Sequence, residues 1–122
     1  MTRLLCALAV GLLLSSPAFA QTATPASKFV VDQAAPSLAV ASSYVFRLYL
    51  DTASGSQIGM TCVGTVSPYQ CSATIPAMTQ GTHSAAFTAA DPAAPTLESA
   101  KSNVVTFTLV IVPQAPSNAR IQ

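Results

Sequence analysis

The sequence predicts an all-β domain, a sandwich of two antiparallel sheets, preceded by a signal peptide. Short runs of alternating apolar residues recur along the chain with Gly, Pro, Ser and Thr turns between them. After residue 20 no segment sustains a helical apolar period over the length of an ordinary helix. Short strands at this spacing, without helices to cover a sheet, bury their apolar faces by stacking sheet on sheet.

Residues 1–20 carry Arg3 in a basic start, an apolar run from Leu4 to Leu14, and Ala18 and Ala20 ahead of Gln21. That three-part pattern is a secretory signal peptide with cleavage after Ala20. The run falls well short of the roughly 20 residues a membrane-crossing helix needs, so no membrane span is expected once the signal is removed. Cys6 lies inside the run rather than at the cleavage point, which argues against lipid attachment. The expected location is secreted or periplasmic, with association at the cell surface. Removing 20 of 122 residues leaves 102, a suitable size for one domain. Lys28, Arg47, Lys101 and Arg120 then balance Asp32, Asp51, Asp91 and Glu98. Nucleic-acid binding needs clustered cations, and none cluster here.

Residues 21–28 read as a flexible lead-in, rich in small residues and broken by Pro25. The sandwich is expected over residues 29–112, beginning with the short strand Phe29-Val30-Val31-Asp32. Between Ala34 and Ser43 two readings stand: a helical turn opened by Ala35-Pro36-Ser37, or a short strand over Leu38-Ala39-Val40-Ala41. The next strand runs from Tyr44 to Asp51. Period two puts Tyr44, Phe46, Leu48 and Leu50 in the core and Val45, Arg47, Tyr49 and Asp51 outside. Thr52 to Ser56 is a turn by composition, and Gln57 to Val63 forms one outgoing strand. Cys71 to Ile75 returns, Pro76 ends that pairing, and Thr79-Gln80-Gly81 leads into a strand from His83 to Ala90. In it His83, Ala85, Phe87 and Ala89 share a face. Two prolines make Asp91 to Pro95 a loop. The final strand, Val104 to Val112, alternates Val105, Phe107, Leu109 and Ile111 with Val104, Thr106, Thr108 and Val110. Residues 113–122 form a Pro-rich tail or linker.

Cys62 and Cys71 are the even pair left after signal removal, and they are expected to be bonded in an oxidising compartment. Gly64 and the Ser67-Pro68 turn between them allow the two cysteines to face each other across a hairpin. In the loop-entropy model a closed loop of about ten residues contributes roughly 2 to 3 kcal/mol. A closed zinc site needs more ligands than two cysteines and one histidine, and the spacing of the pair is not a usual ligand spacing.

From about Ser43 to Val112 the chain resembles the bacterial immunoglobulin-like and fibronectin type III-like modules of secreted and cell-surface proteins. The resemblance rests on Phe46-Arg47-Leu48-Tyr49-Leu50-Asp51, Pro68-Tyr69, Gly81-Thr82-His83, Ala89-Ala90-Asp91 and Ser102-Asn103-Val104-Val105-Thr106. It covers roughly two thirds of the chain after residue 20 and implies a fold rather than an active site. Trp, which fibronectin type III modules commonly bury, is absent, and His83 stands where such modules often place a corner tyrosine. The immunoglobulin-like branch is therefore the closer likeness.

Few residues offer chemistry. His83, the only histidine, lacks the motif of a nucleophile and an orienting carboxylate, and its expected role is to hydrogen-bond the corner backbone. Asp51 and Asp91, at strand ends, suit turn caps better than a calcium site, which takes six to eight oxygens. Val45, Arg47 and Tyr49 form the candidate binding surface. An aromatic ring and a guanidinium on one strand face make a flat strip for sugar or peptide, unless Arg47 lies across Tyr49 and the pair merely covers its own sheet.

The function expected from these residues is that of a secreted, non-catalytic binding or spacer module with no cofactor. Its partner would be a protein or carbohydrate at the cell surface. Two rivals come from other classes. An adhesin or pilus-type subunit would pair with another chain through the last strand. A small exported copper carrier would use His83 with Met60 and Met78, although dispersed methionines more often fill a core.

Overall fold

The computed structural model describes residues 21–122, and the signal peptide expected over residues 1–20 lies outside them. Eight strands and one short helix follow in the order β1 (Gln21–Ala23), β2 (Lys28–Gln33), α1 (Leu38–Ser43), β3 (Val45–Leu50), β4 (Ser56–Ile58), β5 (Thr61–Val63), β6 (Tyr69–Thr74), β7 (Gly81–Ala90) and β8 (Val105–Leu109). They form a five-stranded sheet, β1-β8-β7-β3-β4, and a three-stranded sheet, β2-β6-β5. The expected two-sheet, all-β architecture is present.

Pairing is antiparallel throughout except where β1 runs parallel to β8, with Gln21 opposite Phe107 and Ala23 opposite Leu109. The five-stranded sheet is therefore mixed. That strand also corrects the reading of residues 21–28 as a flexible lead-in. Ala23 is buried, and its carbonyl accepts from Val110 N at 2.8 Å. Pro25 then sits in a turn closed by Ser27 N donating to Thr24 O and Thr24 N donating to Ser27 Oγ, each at 2.9 Å. The turn carries the chain from one sheet into β2 of the other.

Of the two readings of Ala34 to Ser43, the helical one is observed. Ser37 has extended backbone and its Oγ accepts from Val40 N at 3.2 Å, which satisfies an otherwise orphan donor of the first turn. After Ser43 the chain is extended again at Tyr44, where period two takes over. Ala41 is fully buried, and the helix packs on β5 and β6.

The single strand expected from Gln57 to Val63 is two strands in different sheets. β4 pairs with β3, β5 pairs with β6, and Gly59 with Met60 makes the crossing. Gly59 offers no side chain to either sheet, and Met60 packs against both apolar clusters, so its flexible thioether fills the space at the crossover. β8 is also shorter than the expected 104–112, because beyond Leu109 no strand pairs with it, and Ile111 is exposed rather than inward.

Two clusters fill the interior. One gathers Phe29, Phe87 and Phe107 with Leu48, Ile75 and Leu109. Phe29 stands edge-on to both other rings, with centroids 5.2 Å and 5.5 Å away, the arrangement aromatic quadrupoles favour. The second surrounds the disulfide with Ala41, Phe46 and Tyr69. Cys62 and Cys71 are bonded, as expected, and are direct register partners across β5 and β6 with their Cα atoms 3.9 Å apart.

Candidate functional site

The outer face of the five-stranded sheet is built from register. Opposite Val45, Arg47 and Tyr49 on β3 stand Ala90, Thr88 and Ala86 on β7, so these six residues share the face turned away from the core. Sequence alternation placed Val45, Arg47 and Tyr49 together there, and the structure does so. It does not leave them as an open strip. Each is half-buried, and Ala86, Thr88 and Ala90 are buried, beneath the segment that joins β7 to β8.

That segment, residues 91–104, begins with Asp91 Oδ1 accepting from Ala93 N at 2.8 Å, a turn cap of the kind expected of this aspartate. It then runs beside β7 as a strap. Ser99 N donates to Ala89 O at 2.8 Å while Ser99 Oγ accepts from Ala89 N at 3.0 Å. Ser102 repeats the arrangement on Phe87, at 2.8 Å and 3.0 Å. Each serine therefore does for β7 what a neighbouring strand's N–H and C=O would do. A regular continuation of the β7–β8 register, in which Ala85 faces Val105, would bring residues 103 and 101 opposite Phe87 and Ala89. Use of 102 and 99 inserts extra residues, and the excess chain rises over the outer face.

From the strap, Glu98 and Lys101 reach across β7 to β3. The small side chains of Ala86 and Thr88 leave that path open. Glu98 Oε1 lies 2.8 Å from Arg47 Nε, and Glu98 Oε2 accepts from the Tyr49 hydroxyl at 2.6 Å. Lys101 Nζ stands 4.2 Å from the Tyr49 ring centre, a cation–π contact. Arg47 NH2 also donates weakly to Pro95 O at 3.5 Å. The hydrogen bond to the Glu98 carboxylate above all, and then desolvation and the negative charge, hold the Tyr49 phenol above its ordinary value. Chemically the arrangement is a clamp: a guanidinium charge lies against one oxygen of a carboxylate whose other oxygen accepts a hydrogen bond from a phenol.

Tyr49 is placed by a glycine. A Cβ at Gly55, in the turn between β3 and β4, would come within 2.6 Å of Tyr49 Cζ and 2.8 Å of its hydroxyl. Only a residue without a side chain lets the ring lie against that turn and point its hydroxyl at Glu98.

His83 sits apart from this clamp, at the start of β7. Its Nδ1 is 2.8 Å from Asp51 Oδ2 and its Nε2 is 2.7 Å from Thr79 O. Asp51, in the left-handed region at φ 53°, also accepts from Ser84 N at 2.9 Å and donates its own N–H to Ser84 O at 2.8 Å. The expected corner role of His83 is met, with a carboxylate partner added. Met60 and Met78 pack against the core, and both ring nitrogens of His83 are engaged, so the residues named for a copper site are otherwise occupied. Among the described residues no group of three or more His, Cys, Asp or Glu side chains is placed to hold a metal ion.

Sequence reasoning missed Glu98, Lys101, Ser99, Ser102 and Gly55 as parts of the face. One signal was available. Glu98 and Lys101 are two of only eight charged residues after position 20, three apart in a segment otherwise made of small polar and apolar residues. The serines carried no such mark, because their pairing with β7 depends on a register only the folded chain defines.

Compared with protein-family models, curated proteins and solved structures, the chain matches none. No helix among the described residues is long and apolar enough to cross a membrane.

Proposed function

We propose that this chain is a secreted, non-catalytic immunoglobulin-like binding module whose binding face is the outer surface of β3 and β7. The observation that carries the reading is the Arg47–Tyr49 clamp. It sets a guanidinium charge against one oxygen of a carboxylate and a phenol donor on the other, with no nucleophile and base beside it, which is equipment for holding rather than transforming. His83, the one candidate base near neutral pH, is committed to Asp51 and Thr79.

Strand order supports the immunoglobulin-like part of the reading. A variable-type sandwich places its last strands beside the third and its following strand in one sheet, and the second, fifth and fourth in the other. The order β8-β7-β3-β4 against β2-β6-β5 has that form, with β1 alongside β8. His83 adds to it by bonding the backbone four residues upstream, the position and role of a corner tyrosine. The export pattern of residues 1–20 and the Cys62–Cys71 bond support passage into an oxidising compartment.

The pilus-type alternative is less well supported, since β8 lies between β7 and β1 and has no free edge to share. Peptide and glycan arrays probed with the protein lacking residues 1–20 test the module reading. Capture by wild type and loss of capture by Arg47→Ala are the expected results. Hydrolase or transferase turnover that disappears in His83→Ala would overturn it.

A further inference from the structure

The strap is itself a peptide bound to the sheet. Its main-chain N–H groups and serine hydroxyls fill the backbone positions of Phe87 and Ala89 that a strand would fill, and its glutamate fills the clamp. Beyond these, Lys101 stands on the Tyr49 ring and Arg47 donates weakly to Pro95 O. Every residue from Pro95 to Lys101 is exposed, Leu97 by 74%, and none joins a core cluster. Open cavities of about 330 Å³ and 190 Å³ flank it, and Ser99 lines both. Removing the strap therefore uncovers donors, acceptors and a cation, while most of the apolar interior stays closed.

We propose that the strap, residues 95–103, occupies in cis a docking site for an extended acidic peptide of a partner protein. The partner's main chain would add to the β7 edge at Phe87 and Ala89, and a Glu or Asp side chain would enter the Arg47–Tyr49 clamp. This rests on the binding-module reading above and names the ligand class for the same face. Charge complementarity selects an acid, because the Arg47 charge stands 2.8 Å from one carboxylate oxygen and the Tyr49 hydroxyl donates to the other. The β7 edge selects a peptide over an acidic sugar chain, because alternating N–H and C=O groups match it and hydroxyls on a ring do not. A regular strand would also pair without the extra residues that lift the strap off register, so a partner can make better main-chain bonds than the occupant it displaces. Since the strap is tethered, it competes at an effective concentration of millimolar order, and the closed form dominates until a partner arrives.

The test uses calorimetry on the chain from Gln21 to Gln122, wild type and Glu98→Gln/Ser99→Ala/Ser102→Ala. The probes are a synthetic peptide of residues 95–103 and the same peptide carrying Glu98→Gln. The variant is expected to bind the Glu98-bearing peptide about tenfold or more tighter than wild type does, and to bind the Gln peptide about tenfold more weakly than the Glu98-bearing one. Equal affinity of the two proteins, or of the two peptides, would overturn the proposal. So would dimerisation of the variant without peptide uptake, which would assign the face to a second copy, or tighter binding of polygalacturonate than of the peptide. Should the triple variant not fold, amide shifts of Phe87 and Ala89 in wild type at millimolar peptide decide the matter: shifts support it and silence overturns it. Array capture unaffected by Arg47→Ala would remove this inference and leave a binding module acting through another face.

Discussion

His83 and Asp51 form a paired contact that the histidine completes only when protonated. Nδ1 faces the Asp51 carboxylate at 2.8 Å and Nε2 faces the Thr79 carbonyl at 2.7 Å, and both of those oxygens are acceptors. A neutral imidazole has one N–H, so it satisfies one of the two. With its side chain only 10% exposed, the ring has little water to make up the difference. Three segments meet at this ring: the end of β3, the corner before β7, and β7 itself.

Stability should therefore depend on pH on both sides of a plateau. The bond to Asp51, followed by the bond to Thr79, raises the His83 pKa above its ordinary 6.5, so its contribution is full below pH 6.5 and is lost as pH rises through the folded value. The bond from His83, followed by that from Ser84, lowers the Asp51 pKa below its ordinary 3.8, so its contribution is full above pH 3.8 and is lost as pH falls through the folded value. Thermal unfolding measured across pH should show His83→Gln flattening the alkaline limb and Asp51→Asn flattening both.

Glu98→Gln should return the Tyr49 phenol toward its ordinary titration, because the carboxylate that raises it is gone. Alkaline absorbance titration reads this directly. Gly55→Ala should act in the same direction through geometry, since its Cβ would collide with the ring and drive the hydroxyl from Glu98. An unchanged tyrosine titration in both variants would mean that the clamp does not form in solution.

Ser99→Ala and Ser102→Ala should expose specific amides. Ala89 N–H and Phe87 N–H lose their acceptors, and their hydrogen exchange should accelerate while amides of β2 and β6 stay protected. Uniform acceleration across both sheets would show instead that the strap is part of the global fold.

Phe29→Ala should cost about 3 to 5 kcal/mol, because the ring is buried against Phe87 and Phe107 at the centre of the first cluster. Denaturant midpoints against wild type measure it. A loss below about 1 kcal/mol would mean that the surrounding residues collapse into the space.

Reduction of Cys62–Cys71 should lower stability by roughly 2 to 3 kcal/mol through a looser unfolded chain. Chemical denaturation with and without reductant provides the comparison, with the Cys62→Ser/Cys71→Ser chain as the control that reductant should leave unaffected.

Much of the fold was legible where one rule governed a segment. Phe46 and Leu48 against Arg47 and Tyr49 gave β3 and both of its faces by alternation alone. β7 was legible on its inner face, through Phe87, but not on its outer one. Ala86 and Thr88 are buried there by a segment that composition marks as loop. The division into β4 and β5 was hidden because Gly59 reads equally well as an interior weak point of one strand. β1 was hidden because Gln21-Thr22-Ala23, without apolar alternation of its own, acquires a strand's identity only from β8, more than eighty positions away. Of the candidate site, the sequence revealed Arg47 and Tyr49 but not what they hold, since Glu98 reaches them only through the register of the strap.

The edge position of β1 decides how this protein can be handled. Any residue fused ahead of Gln21 is joined directly to a strand of the five-stranded sheet, and any trimming past Ala23 strips β8 of a neighbour. At the other end, residues 113–122 belong to no strand and are exposed. Purification tags, surface-immobilisation linkers and fluorescent reporters therefore belong after Gln122, where a label can be carried without becoming part of the sheet being measured.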